Sequence, residues 1–155
     1  MNTAQRIASH GKRKFTADPG AWIKVIARNQ EQPEWNADQI MVKIRTAFEL
    51  LKTGHATDAH FDRVAGAMNI GMLRAELIDP LVEHTMQAGI EAMYGCAGIH
   101  ERHGRYGFTG QGLLAMNDAI DLYGEILRQS TPRQMEDAKD AAYRRVIELA
   151  RKISA

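Results

Sequence analysis

The sequence predicts an all-α protein: a bundle of four main helices, with a short extra helix in front and a basic arm at the N-terminus. Three observations predict this. Apolar residues recur at three- and four-residue steps along most of the 155-residue chain. The periodic runs are bounded by capping residues at their starts and by glycine, or a fresh cap and proline, at their ends. Strand signals are scarce, with no Asn-Gly or Asp-Gly hairpin and no alternating stretch of useful length.

The elements follow in order. Residues 1–17 read as a basic arm, and residues 18–155 as one helical domain. "DPGAWIKVIARNQ" predicts a short helix from Asp18 to about Arg28, held down by Trp22 and Ile26, with Trp35 stapling the start of the next helix. "NADQIMVKIRTAFELLKTG" has Asn36 as cap, answered by Gln39, then Ile40, Ile44, Ala47, Phe48 and Leu51 at helical spacing, and Gly54 as a left-handed stop. The next run starts at Thr57, with Asp58 at the positive end of the helix dipole and a stripe of Phe61, Val64, Ala65, Met68 and Met72. Gly66 and Gly71 weaken a helix, so they mark close contacts or a bend. Asp79 and Pro80 open a third run with Val82, Met86, Ile90, Met93 and Ala97 on its stripe. Thr109 caps a seam of Leu113, Met116, Ile120, Tyr123 and Leu127. Finally, Thr131, Pro132 and Gln134 form a capping box ahead of Met135, Ala138, Ala142, Val146 (or Arg145), Leu149 and Ile153.

Composition sets the class. Hydrophobic residues make up 45% and charged residues 25%, the balance of a soluble globular domain. No apolar run approaches the roughly 20 residues that span a bilayer, and the basic first residues have no apolar core of a secretory signal. The single cysteine, Cys96, falls in an apolar helical run and reads as a buried, inert thiol, which fits a reducing cytoplasm. The net charge of +1 is unevenly spread. Arg6, Lys12, Arg13, Lys14, Lys24 and Arg28 face only Asp18, Glu31 and Glu34 in the first 36 residues, whereas the remainder is slightly acidic.

Several chemistries can be weighed against these residues. A di-iron bundle needs Glu-x-x-His pairs on facing helices, and none occurs. His100 and His103 lie one helical turn apart, but two nitrogens alone make a weak metal site and an ordinary helix ending. The expectation is therefore no metal and no cofactor. Gly104, Gly107, Gly110 and Gly112 invite a phosphate-loop reading, yet the Lys-Ser/Thr pair and the preceding strand of such a loop are missing. The alternative is that these glycines let the chain reverse between two long helices, with Tyr106 and Phe108 capping the core. Cys96 and His100 share a helix face without the electropositive surroundings a thiolate nucleophile needs. The final helix interleaves Arg133, Lys139, Arg144, Arg145, Arg151 and Lys152 with Glu136, Asp137, Asp140 and Glu148, a solvated face rather than a recognition helix. Met68, Met72, Met86 and Met93 could line a groove for a partner helix, but core filling accounts for them more simply.

Two stretches, "FELLKTGHATDAHFDRVAGAMNIGMLRAELIDP" and "RHGRYGFTGQGLLAMNDAIDLYGEIL", resemble uncharacterised small helical proteins of proteobacteria and their prophages and plasmids. The resemblance covers roughly residues 44–135 and leaves out the basic arm. It implies a bacterial or phage accessory protein, cytoplasmic, acting on a host system, and it carries no catalytic residues across.

The functional expectation is a non-catalytic protein–protein interaction module, in character an accessory or inhibitor protein. The expected partner surface is the 98–112 stretch "GIHERHGRYGFTGQG", with His100, Arg102, His103, Arg105, Tyr106 and Phe108 as contacts, because arginine and tyrosine beside a rigid helix end commonly anchor interfaces. The alternative is nucleic-acid binding through Arg6, Lys12, Arg13, Lys14, Lys24 and Arg28. A homodimer through an exposed stripe on the final helix is left open, and no membrane partner is expected.

Overall fold

The computed structural model describes residues 34–154, with side chains from Asn36 onward. The predicted arm, the helix from Asp18 to Arg28 and the Trp35 staple lie outside the described residues. Five helices fill what is described: α1 (Glu34–Thr53), α2 (Asp58–Ala75), α3 (Pro80–His103), α4 (Gly110–Gln129) and α5 (Pro132–Ser154). No strand occurs among these residues. The count corrects the expected four main helices: each of the five capped runs from Asn36 onward forms a helix of its own.

Most boundaries fall where the caps place them. Asp79 accepts the Leu81 backbone N–H at 2.7 Å, with Pro80 next to it as the first helical residue. Thr109 accepts the Gly112 N–H at 3.0 Å. Thr131 and Gln134 exchange side-chain and backbone bonds at 2.9 and 3.1 Å, completing the predicted box. At Thr57 the reciprocal partner is His60, whose Nδ1 accepts the Thr57 N–H at 2.9 Å. The exception is α1, which begins at Glu34, so Asn36 lies inside its first turn rather than at its cap. An asparagine marks a helix start only where the backbone before it leaves helical angles, and side-chain identity alone does not reveal that.

α2 is the central helix. It packs on α1, α3, α4 and α5, and α3 makes its largest contact with α4. Consistent with that position, its buried residues extend past the predicted stripe of Val64 and Met68 to Ala67, Gly71, Leu73 and Ala75. A helix surrounded on several sides is apolar around most of its circumference. The other stripes bury as expected at Ile44, Phe48 and Leu51 in α1, Met86 and Met93 in α3, and Met116, Ile120, Tyr123 and Leu127 in α4. Met68, Met86 and Met93 are therefore core filling rather than the lining of a groove, because three neighbouring helices cover them.

Two glycines let these helices approach. A Cβ on Gly89 would stand 2.6 Å from the Ala119 Cβ and 3.1 Å from the Met68 sulfur. One on Gly71 would meet the Met86 methyl at 2.6 Å and the Tyr123 ring at 2.9 Å. Gly66, by contrast, faces open space and marks neither a close contact nor a crossing.

Polar ties finish the assembly. Ser130, fully buried between α4 and α5, accepts a bond from Arg74 Nε at 3.2 Å. Arg45–Asp121 and Arg128–Asp38 link α1 to α4, and Arg145 forks onto both carboxylate oxygens of Glu76 at 2.8 and 2.9 Å. These pairs are solvent-exposed and each contributes at most about 1 kcal/mol, so they set alignment more than stability. Arg145 thus bonds Glu76, at the C-cap of α2, with Glu148 of its own helix as a further nearby negative charge. The buried part of the predicted α5 stripe ends early: Met135 and Ala138 are covered, whereas Val146, Leu149 and Ile153 are exposed. Among the described residues, no helix is long and apolar enough to cross a membrane.

The glycine contacts make a direct prediction. Gly89→Ala forces its methyl against a Cβ fixed to another backbone and should destabilise the protein by about 1–3 kcal/mol in urea unfolding. Gly66→Ala, meeting nothing, should stabilise it by up to about 1 kcal/mol through helix propensity.

Candidate interaction site at the α3–α4 connection

The site is built where three chain segments end together. α1 stops at Gly54, whose φ of 78° is the left-handed stop expected there. α3 stops at Gly104 with φ 74°, and the Gly104 N–H closes the last turn on His100 O at 2.8 Å. The connection 104–109 then folds back over the start of α2. At Gly54 a Cβ would come within 3.4 Å of the Arg105 side chain and 3.6 Å of the Tyr106 carbonyl, so the α1 stop and the connection are in close contact.

Tyr106 is the centre of this junction and is only 8% exposed. Its ring stacks on His100 at 4.1 Å between centroids and on Phe61 at 5.1 Å. Its hydroxyl donates to the Asp58 carboxylate in the first turn of α2. Burial first, then this bond and the charges of Asp58 and Asp62, push its pKa up to about 12 and hold the phenol protonated. Phe108 lies edge-on to Phe48 at 5.5 Å. Cys96, one turn before His100, is buried, and that burial pushes its thiol up, away from a reactive thiolate.

Around this aromatic block lies a half-open cleft of about 370 Å³. Ile99, Tyr106 and Phe108 contribute apolar lining, and Lys52, His103 and Arg105 contribute polar lining. The Lys52 ammonium bonds Glu49 at 2.7 Å and lies 5.2 Å from the Phe48 ring centre. His103 and Arg105 make no hydrogen bond or ion pair with a described residue, and both are exposed.

The six predicted contact residues therefore separate into groups. His103, Arg105, Tyr106 and Phe108 line one cleft. His100 backs Tyr106, and Arg102 turns away along α3, its guanidinium lying over Gly98. Tyr106, expected as a partner contact, is buried instead, as the reading of the turn as a helix connection had it: α2 and α3 close over its ring, a structural wedge that shapes the cleft. Phe108 is likewise half-buried against Phe48. Lys52 and Gly54 were missed as site residues, since their place beside Arg105 depends on how α1 packs. The arm residues Arg6, Lys12, Arg13, Lys14, Lys24 and Arg28 lie outside the described residues. Among the described residues, no group of three or more histidine, cysteine or acidic side chains converges to hold a metal ion.

The chain matches no protein-family model, no curated protein and no solved structure.

Two predictions follow from the packing of Tyr106. Tyr106→Ala should destabilise the fold by about 3–5 kcal/mol, as loss of a buried aromatic does, and Arg105→Ala should stay within about 0.5 kcal/mol of the parent in chemical denaturation. The second concerns pH. Tyr106 and Tyr123 both have folded-state pKa values pushed up to about 12, Tyr123 by burial alone. Unfolded tyrosine titrates near about 10, so the stabilisation is complete below that and is lost as pH rises towards about 12. Unfolding free energy should fall across this window, and Tyr123→Phe should flatten the fall in denaturant titrations at successive pH values.

Proposed function

We propose that the protein is a non-catalytic interaction module that binds an acidic segment of another protein in the cleft between the end of α1 and the α3–α4 connection. One observation carries the reading: a rigid aromatic wedge, Tyr106 stacked between His100 and Phe61, holds the uncommitted Arg105 guanidinium and His103 imidazole at the mouth of a half-open cleft. Arginine on a preorganised support loses little freedom on binding and donates two parallel N–H bonds to a carboxylate. The apolar Ile99 and Phe108 add a surface for a flanking hydrophobic side chain. The cleft is half-open rather than enclosed, a shape that an extended chain can enter.

The likeness to small helical proteins of prophages and plasmids is the ground for placing the partner among host cytoplasmic proteins, with this chain as an accessory or inhibitor. Nucleic-acid binding through the arm is the competing reading, and the same experiment separates the two.

The test is affinity capture from bacterial lysate with the full chain, with and without nuclease, comparing the parent with Lys52→Glu/Arg105→Glu. Arg105 has no partner among the described residues and Lys52 gives up only its surface pair with Glu49, worth at most about 1 kcal/mol, so the variant should keep its helicity with a small drop in melting temperature. A protein retained after nuclease by the parent, lost by the variant and released by rising salt supports the cleft. Equal capture by both rejects it. Retention that disappears with nuclease moves the function to nucleic acid.

A further inference from the structure

The second half of α5 is a surface without a cover. From Tyr143 to Ser154 no residue is buried, although the stripe that buries Met135 and Ala138 continues in register through Val146, Leu149 and Ile153. Leu149 is 58% exposed and Ile153 85%. A helix that solvent surrounds has no physical need for that stripe, and exposed apolar residues at helical spacing mark a contact face. The flanks are basic, with Arg144, Arg145, Arg151 and Lys152 against the single Glu148.

A second uncovered patch of opposite charge lies at the turn from α2 to α3. Leu77 is 78% exposed and Leu81 74%, with Ile78 beside them. The segment 76–83 carries Glu76, Asp79 and Glu83 and no cation. The Arg145–Glu76 fork already joins α5 to this corner within one chain, an example of the charge match between the two surfaces. Beyond the fork, neither apolar set is satisfied by its own chain.

We propose that the protein forms a two-fold homodimer in which the basic, apolar end of α5 packs on the acidic, apolar α2–α3 corner of a second copy. A two-fold axis uses the pair of surfaces twice, so each protomer contributes both tail and corner. The surface stands at the opposite end of α2 from the cleft, about 25 Å away at 1.5 Å per residue, and this inference does not rest on the cleft.

The test is sedimentation equilibrium of the full chain from micromolar to hundreds of micromolar, with circular dichroism as the folding control. The parent is expected to dimerise, and Leu149→Asp and Ile153→Asp each to weaken the dimer by at least about tenfold with unchanged helicity. Leu114→Asp, on the exposed side of α4, should leave it intact. Lys152→Glu and Glu83→Lys should each weaken association, and the double variant should recover it, because the exchanged charges again oppose across the interface. A monomer throughout the range overturns the proposal. Loss in the stripe variants with no effect or rescue from the charge pair overturns the corner as the docking surface, since two tails would then be pairing with each other.

Discussion

The structure depends on how closely α2, α3 and α4 can approach. Helix axes this near leave no room for a side chain at the crossing points, and Gly71 and Gly89 occupy two of those points. Methionines fill what remains: Met68, Met86 and Met116 are fully buried around the glycines, and their unbranched side chains adapt to the irregular gaps that three helices leave between them. The approach at Gly89 also governs what happens one end further along. It sets the spacing of α3 and α4, and hence where the connection between them must lie.

That connection carries the site. Its aromatic residues turn inward and its cations turn outward, a division that follows from desolvation. A tyrosine can be buried when its hydroxyl has a partner, and Asp58 supplies one from the first turn of α2. A guanidinium with no carboxylate nearby stays in water, and Arg105 does. The cleft is the joint product: a floor held by stacking on Phe61 and His100, and a rim whose charge the protein has not used internally.

α5 extends the same logic to the far end of the molecule. Its first half is tied down by the Thr131–Gln134 box, by Met135 against the core and by the fork to Glu76. Past the fork no residue of the helix is fully buried, yet its sequence keeps the amphipathic pattern of a packed one. Continuity of pattern where continuity of packing stops is the physical basis for looking to another chain.

Much of this was legible from the amino acids. The all-helical class, the caps at Asp79, Thr109 and Thr131, the left-handed stops and the principal core stripes follow from local rules, because a cap or a 3.6-residue period is satisfied within one or two turns of the same helix. What local rules cannot reach is how the helices are placed. The sequence marked Gly66 and Gly71 alike, and only packing against Met86 and Tyr123 distinguishes the second. It pointed to the 98–112 stretch and left Tyr106 as either a partner contact or a cap on the core, and Phe61, His100 and Asp58 closing around it decide for the second. Lys52 joins that site from a helix a third of the chain away. The stripe of α5 was equally plain, while whether a neighbour covers it depends on where α2 ends. Sequence by itself determined which residues form helices and which faces are apolar, since those are properties of neighbours along the chain. Tertiary structure decided which apolar faces are buried and which charges remain free, since those depend on contacts between residues far apart in sequence.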